Sequence, residues 1–284
     1  MTPSDLRLTF APPLLPDNLF GHLAATGVPG VEEWRDGAYR VTVRLAGGPA
    51  VLALSPRPDH VAARVWLSGD DLDEAVALCR FVLDLDADPA TVDATLAADP
   101  VLAPLVAAAP GRRVPRIADA SQFAIRAVIG QQVSTAAART HAGRLVAAYG
   151  TAFEDPEGAL THLFPTPDDL AGLRAEDLAM PRSRQRTLLG LVAALREGLP
   201  VEEIGSLPGI GPWTVASVAM RALGDRDAFL PTDLGVAQAA ARLGLPAKPR
   251  ELTAYAERWR PYRAYAVQHL WATGDHAVNH LPSG

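Results

Sequence analysis

The segment Leu207-Pro-Gly-Ile-Gly-Pro-Trp-Thr214 decides how the rest of the chain is read. Helix-forming sequence flanks it on both sides. Two glycines one residue apart allow a tight turn with positive φ and close backbone approach. Pro212 then falls in the first turn of the next helix, where its missing N–H does no harm. A helix–hairpin–helix corner is therefore predicted. In one reading, the N–H groups of Gly209, Gly211 and the helix start face outward and form, with the helix dipole, a site for a phosphate. In another, the same residues make a plain corner with Ile210 packed inside.

Downstream lies Phe229-Leu-Pro-Thr-Asp-Leu-Gly235. Asp233 follows a proline and precedes a helical run, which suits a simple N-cap. It also stands 22 residues after Gly211, so a glycine hairpin, a helix and an acidic residue form one ordered unit.

Around this unit the C-terminal two thirds of the chain is all-helical in pattern. Apolar, Ala-rich stretches punctuated by Pro or Gly occupy 121–149, 167–179, 183–198, 211–224, 233–243, 249–258 and 261–273, after a helix opened by Asp88-Pro89. The connector Ala109–Val114 carries no periodicity. The first ~88 residues differ. Leu6–Phe10, Ala38–Leu45, Ala50–Leu54 and Val61–Leu67 read as strands, and Asn18–Ala25 and Leu72–Leu85 as helices. The fold class is α+β: an N-terminal antiparallel sheet with two helices, then two all-α subdomains containing the hairpin. The expected division is an α+β domain at 1–88, a central helical domain at 119–232 with the hairpin at 207–211, and a second helical domain from 89–118 and 233–284.

Composition sets limits. With 49% hydrophobic and 20% charged residues the chain is of ordinary globular type. Nothing approaches the ~20 apolar residues of a membrane span, and the start MTPSDLRLTF lacks a signal peptide's pattern. A cytoplasmic protein is expected, with no membrane partner. The single cysteine, Cys79, excludes an internal disulfide and a four-Cys iron–sulfur cluster, and its helical apolar context places it in the core. The seven histidines show no metal-ligand spacing. The net charge of −6 is unevenly spread: residues 1–110 hold 7 basic and 15 acidic side chains, residues 111–284 hold 19 and 17. Charge therefore permits nucleic-acid binding by the helical part without demonstrating it.

Two further segments complete a pattern: Phe123-Ala-Ile-Arg-Ala-Val-Ile-Gly-Gln-Gln-Val-Ser134 and Glu257-Arg-Trp-Arg-Pro-Tyr-Arg-Ala-Tyr-Ala-Val-Gln-His-Leu-Trp271. With the hairpin, the Asp233 segment and the α+β start, they resemble in order and spacing the helix-hairpin-helix/GPD superfamily of base-excision DNA glycosylases. The branch they resemble is the bacterial 3-methyladenine DNA glycosylase II, or AlkA, type. The resemblance covers essentially the whole chain. It implies an enzyme that hydrolyses the N-glycosidic bond of alkylated purines such as 3-methyladenine and 7-methylguanine in duplex DNA after flipping the base.

The resemblance also implies roles. Asp233 matches the essential aspartate. Trp213 and Trp271 match aromatic walls of the base pocket, and lyase-type relatives carry a lysine where Trp213 stands, so a monofunctional enzyme is implied. His22 lies where the branch places a pocket aromatic, and Ser217 where some relatives place a pocket tyrosine. Gln132 matches the residue that fills the gap left by the flipped base. Leu207, Gly209, Ile210, Gly211 and Thr214 would grip DNA, and the carbonyls of Leu207 and Gly209 could hold a structural Na+ or K+. No other cofactor is implied. The expected partner is double-stranded DNA with damaged bases, met by a monomer working at the nucleoid. Arg126, Arg182, Arg184 and Arg186 suit phosphate contacts and solvated faces equally. Three rival readings stay open: a non-catalytic DNA-binding module, a glycosylase of the same fold for another lesion class, and a repair domain belonging to a larger alkylation-response protein.

Overall fold

A computed structural model describes residues 3–282. The chain opens with strand β1 (Pro3–Leu8) and helix α1 (Pro16–Thr26). Four strands follow: β2 (Glu32–Arg35), β3 (Ala38–Leu45), β4 (Gly48–Pro56) and β5 (Val61–Leu67). All pair antiparallel in the order β1-β5-β4-β3-β2. Helix α2 (Leu72–Val82) closes the unit. Alternating side chains Val41, Val43, Leu52, Leu54, Ala63 and Val65 face α1 and α2 and bury Leu19, Leu23, Cys79 and Val82. Burial pushes the Cys79 thiol up to about 12, as befits an inert core group.

Strand β2 was not expected, because Glu-Glu-Trp-Arg lacks apolar alternation. Its turn signal was present nonetheless. Asp36 and Gly37 both take positive φ, 51° and 74°, and close a two-residue hairpin onto β3.

The remainder is helical: α3 (Pro89–Ala97), α4 (Ala103–Ala108), α5 (Ala120–Ile129), α6 (Thr135–Tyr149), α7 (Arg182–Arg196), α8 (Pro212–Arg221), α9 (Leu234–Arg242), α10 (Pro249–Tyr255) and α11 (Arg263–Trp271). The stretch 121–149, expected as one helix, is two. Gly130 ends α5, and Ser134 caps α6 by accepting from Ala137 N. The stretch 167–179 is not α-helical. It forms 3-10 turns at Asp169–Gly172 and Ala175–Asp177, where Pro167, Gly172 and the acidic side chains favour local turns.

Two apolar clusters organise the helices. One joins Val28 and Val31 with α5, α6, α7 and the buried face of α8. The other joins α3 and α4 with α9, α10 and α11 around Trp259. Asp99 ties the second together, accepting from Trp259 Nε1 at 2.7 Å and Tyr255 Oη at 3.1 Å. Asp84 links sheet and helices: it pairs with Arg116 at 2.8 Å and accepts from Tyr265 Oη at 2.8 Å.

The sheet is covered on its second face too. A short hairpin, β6 (Thr151–Ala152) with β7 (His162–Leu163), carries an excursion back over it. Leu160 and Phe153 pack on Val51, Ala53 and Trp66. Asp155 receives a bidentate pair of 2.8 Å bonds from Arg40.

His269 on α11 is buried beside Arg112, and neither ring nitrogen has a partner among the described residues. Burial first, then Arg112, pulls its pKa from 6.5 down to about 3. The unfolded chain takes up this proton below pH 6.5 and the folded one does not until about 3. Stability from this site is thus complete above pH 6.5 and is lost as pH falls toward 3. The expected slope is about 1.4 kcal/mol per pH unit for one such histidine. Urea unfolding of His269→Leu from pH 6 to 4 should show a dependence shallower by that amount. An unchanged slope would mean that His269 titrates normally.

Candidate active site and nucleic-acid interface

Four segments of the helical region and one of the α+β unit meet at a cavity of about 660 Å³, lined among others by His22, Phe123, Trp213, Ser217, Asp233 and Trp271. Asp233 is the N-cap of α9, with extended backbone (φ −69°, ψ 135°). Its Oδ1 accepts from Val236 N at 3.0 Å and from Trp271 Nε1 at 2.7 Å, and its Oδ2 from Trp213 Nε1 at 3.0 Å. One side chain therefore both caps α9 and lines the cavity. Three N–H donors fix its carboxylate in the cavity rim, and Oδ2, with a single donor, keeps a lone pair for a further partner.

The two tryptophans are half-buried and line the cavity, and they also aim their N–H groups at Asp233. Sequence reasoning foresaw them as walls and missed that they orient the carboxylate. Gly235 explains part of this arrangement, since a Cβ there would stand 2.9 Å from Trp271 Cδ1. Ser217, one turn after Trp213 on α8, is buried and lines the cavity, and so does His22 from α1. Its imidazole lies 5.7 Å from the Trp271 ring, centroid to centroid. Burial, then the neighbouring Arg221, Arg126 and His276, holds His22 well below its ordinary pKa.

The hairpin partly departs from expectation. Positive φ belongs to Gly209 alone (+85°), where a Cβ would meet Thr187 Oγ1 at 2.0 Å. Gly211 has φ −95°, caps α8, and has nothing within 4 Å of a Cβ. The N–H groups of Gly209 and Gly211 find no acceptor among the described residues, as an anion site requires. Ile210 and Thr214, expected to touch DNA, face inward. Ile210 packs in the core and donates its N–H to Leu207 O at 3.2 Å. Thr214 is buried and accepts from Gln131 Nε2 at 3.1 Å. Apolar packing and an internal hydrogen bond take priority at both positions.

Gln131 was not foreseen, although it lies inside a quoted motif. Its amide also donates to Gly209 O at 3.3 Å, joining the α5–α6 loop to the hairpin. Gln132 beside it is exposed at the loop apex with φ +56°, an uncommon conformation for a residue with a Cβ. Arg126 lines the cavity but its guanidinium is taken up internally. Half-buried, it pairs with Glu32 of β2 at 2.8 Å, with a second bond to Thr26 O at 2.8 Å. Arg184 is buried, whereas Arg182 and Arg186 are exposed.

No helix among the described residues is long and apolar enough to cross a membrane, and no cluster of His, Cys, Asp or Glu among them could hold a metal ion.

Comparison with known proteins agrees with this architecture. Residues 5–119 match the AlkA N-terminal domain and residues 125–263 the HhH-GPD superfamily base excision DNA repair protein family. DNA-3-methyladenine glycosylase 2 of Escherichia coli is 32% identical over 94% of this chain and 96% of its own. A Mycobacterium tuberculosis protein named "Probable bifunctional transcriptional activator/DNA repair enzyme AlkA" is 52% identical over 98% of this chain, which spans 58% of that relative's length. Among solved structures, a 3-methyladenine DNA-glycosylase from Archaeoglobus fulgidus superposes with a TM-score of 0.79 at 20% identity, over 95% of this chain and 97% of that one. An 8-oxoguanine glycosylase/lyase of Clostridium acetobutylicum, solved with double-stranded DNA, gives 0.74 at 16% identity, over 90% and 92%. The strand order, the hairpin and these matches together place the chain in the HhH-GPD superfamily of base excision DNA repair proteins, in the branch that carries an AlkA N-terminal domain.

Proposed function

We propose that the chain is a monofunctional DNA glycosylase of the 3-methyladenine glycosylase II type, which flips alkylated purines out of duplex DNA and hydrolyses their glycosidic bond. The observation that carries this reading is the convergence of both tryptophan N–H groups on Asp233 in a cavity roomy enough to take a purine nucleotide. Glycosidic cleavage passes through an oxocarbenium-like sugar. A fixed carboxylate in a water-poor site stabilises that cation without reorganising. Oδ2 is the atom with capacity to take a proton from the attacking water. The indole faces favour electron-poor, cationic bases by roughly 0.5–2 kcal/mol, which supports a broad substrate range. Gln132, exposed at its loop apex, suits the gap in the duplex. The lone lysine, Lys248, is exposed and paired with Glu251, and a tryptophan stands at position 213, which supports hydrolysis without lyase chemistry. The carbonyls of Leu207 and Gly209 are neutral oxygens with a second lone pair each, a donor set that fits Na+ or K+. When bound, such an ion would add positive charge at the phosphate-facing hairpin.

The test is release of free base from methylated duplex DNA, followed by chromatography. 3-Methyladenine and 7-methylguanine should appear well above their spontaneous rates, and borohydride should trap no covalent adduct with DNA. No release would reject the reading, and a trapped adduct would reject its monofunctional part.

Phosphate binding by the hairpin can be tested without damage to the fold. Gly211 has ordinary φ and open space, and Asp is a favourable N-cap, so Gly211→Asp should be as stable as the native protein or slightly more so. It should weaken binding to abasic-analogue duplex by at least about tenfold, or 1.4 kcal/mol, through repulsion. Gly211→Asn, an uncharged cap, should keep most of the affinity. Equal binding by Gly211→Asp and the native protein would remove the hairpin from the interface.

A further inference from the structure

The cavity wall formed by α1 has a feature that a plain aromatic pocket lacks. His22 and Arg221 both line the cavity, and Nη1 of Arg221 meets Nε2 of His22. The guanidinium also lies over the Phe123 ring, 5.4 Å from its centroid. Arginine offers N–H groups and no lone pair. Burial, then the charge of Arg126, lowers Arg221 to about 9, so it is still a cation at neutral pH. Nε2 of His22 must therefore be the accepting nitrogen, and a neutral ring then carries its single proton on Nδ1. The ring stays neutral, because burial, Arg221, Arg126 and His276 all disfavour a second proton. Nδ1 bonds to no described residue, yet it is not sealed in the interior as both nitrogens of His269 are. With Nε2 turned to Arg221, Nδ1 is the nitrogen of this cavity-lining ring left to meet a ligand.

We propose that His22 is a specificity-determining residue whose Nδ1–H, fixed by Arg221, donates a hydrogen bond to the edge of the extruded base. Among neutral purines it would favour those with a ring carbonyl on that edge over those with hydrogen or an amino group there, whereas cationic bases such as 3-methyladenine are already activated as leaving groups and do not need the bond. This rests on the glycosylase reading above. The indoles of Trp213 and Trp271 respond to ring size and electron deficiency, which do not separate a carbonyl from an amino group. A fixed donor does, since an amino group would set donor against donor and leave the buried N–H unpaired. Arg221 acts through His22 and is a positioning residue.

Two duplexes that differ at one purine test this. One carries hypoxanthine, with a 6-carbonyl, and the other carries unsubstituted purine, with hydrogen at that position. In single-turnover excision, His22→Phe should lower the hypoxanthine rate about tenfold, the value of one hydrogen bond. The purine rate should fall by a smaller factor, so that the ratio of the two rates drops several-fold. Imidazole 15N spectra of the free protein, with His22→Phe as the blank, should show the Nδ1–H tautomer of His22 at neutral pH. Arg221→Met should restore the mixture of tautomers while binding of abasic-analogue DNA persists. Equal losses on both bases, or an Nε2–H tautomer in the native protein, would overturn the proposal. Release of neither base by a native protein that still frees 3-methyladenine would overturn the proposal, and failure to free 3-methyladenine as well would overturn the glycosylase reading itself, which the tautomer measurement does not depend on.

Discussion

Asp233→Asn is expected to slow single-turnover excision by about 10²–10³-fold, the size of one preorganised electrostatic contact. From sequence alone, Asn would pass as a neutral replacement, since it caps helices as well as Asp. The structure adds a complication. Asn can still accept from Val236 N and Trp271 Nε1 through Oδ1, but its amide then turns an NH₂ toward Trp213 Nε1, now 3.0 Å from Oδ2. Two donors face each other, and a loss of about 1–2 kcal/mol in stability should accompany the loss of activity. Trp213→Phe in the Asp233→Asn background removes the orphaned N–H. The double variant should recover stability in urea unfolding and remain inactive. If stability and excision return together, the effect of Asp233→Asn is structural. Near-native excision by the single variant would reduce Asp233 to a cap.

Glu32→Ala is expected to cost stability on the scale of emptying a buried aromatic site. Glu32 is buried on β2 and accepts three hydrogen bonds: from Tyr39 Oη at 2.6 Å, Val28 N at 2.8 Å and Arg126 Nη1 at 2.8 Å. Arg221 is a second buried cation whose charge Glu32 supports. Without the carboxylate, two guanidinium groups share an interior with no anion from Glu32. Breaking a buried pair from one side costs about 3–5 kcal/mol, or a fall in melting temperature on the order of 10 °C for a chain of this size. Glu32→Gln keeps the acceptor geometry for Val28 and Arg126, so its smaller loss isolates the charge. A Glu32→Ala protein that melts within a degree or two of the native one would show that the pair carries no weight.

Much of this architecture was legible because it is written locally. The hairpin needed only Gly209's freedom and Pro212's place at a helix start, and Asp233 announced itself by the proline before it and the helix after it. Strands β3 and β5 followed from alternation. What escaped has long-range causes. Glu32 and Arg126 are 94 residues apart, so each read as an ordinary charged side chain until the α+β unit docked on α5. Ile210 and Thr214 lie in the correct motif but turn inward, because their neighbours across the fold, not their spacing, decide which way they face. The indole bonds to Asp233 span 20 and 38 residues and leave no periodic trace. Gln131 was passed over for Gln132, since sequence separates them only by position, whereas backbone conformation sends one to the hairpin and the other to solvent.

The excursion between β6 and β7 bears on how the chain is made. Strand β5 ends at Leu67, but Leu160, which covers the outer face of the sheet, comes far later. A ribosome adding ~5–20 residues per second leaves Val51, Ala53 and Trp66 bare for roughly 5–20 s after the last strand is complete. During that interval the nascent protein carries a finished sheet with an apolar side open to water and to other chains.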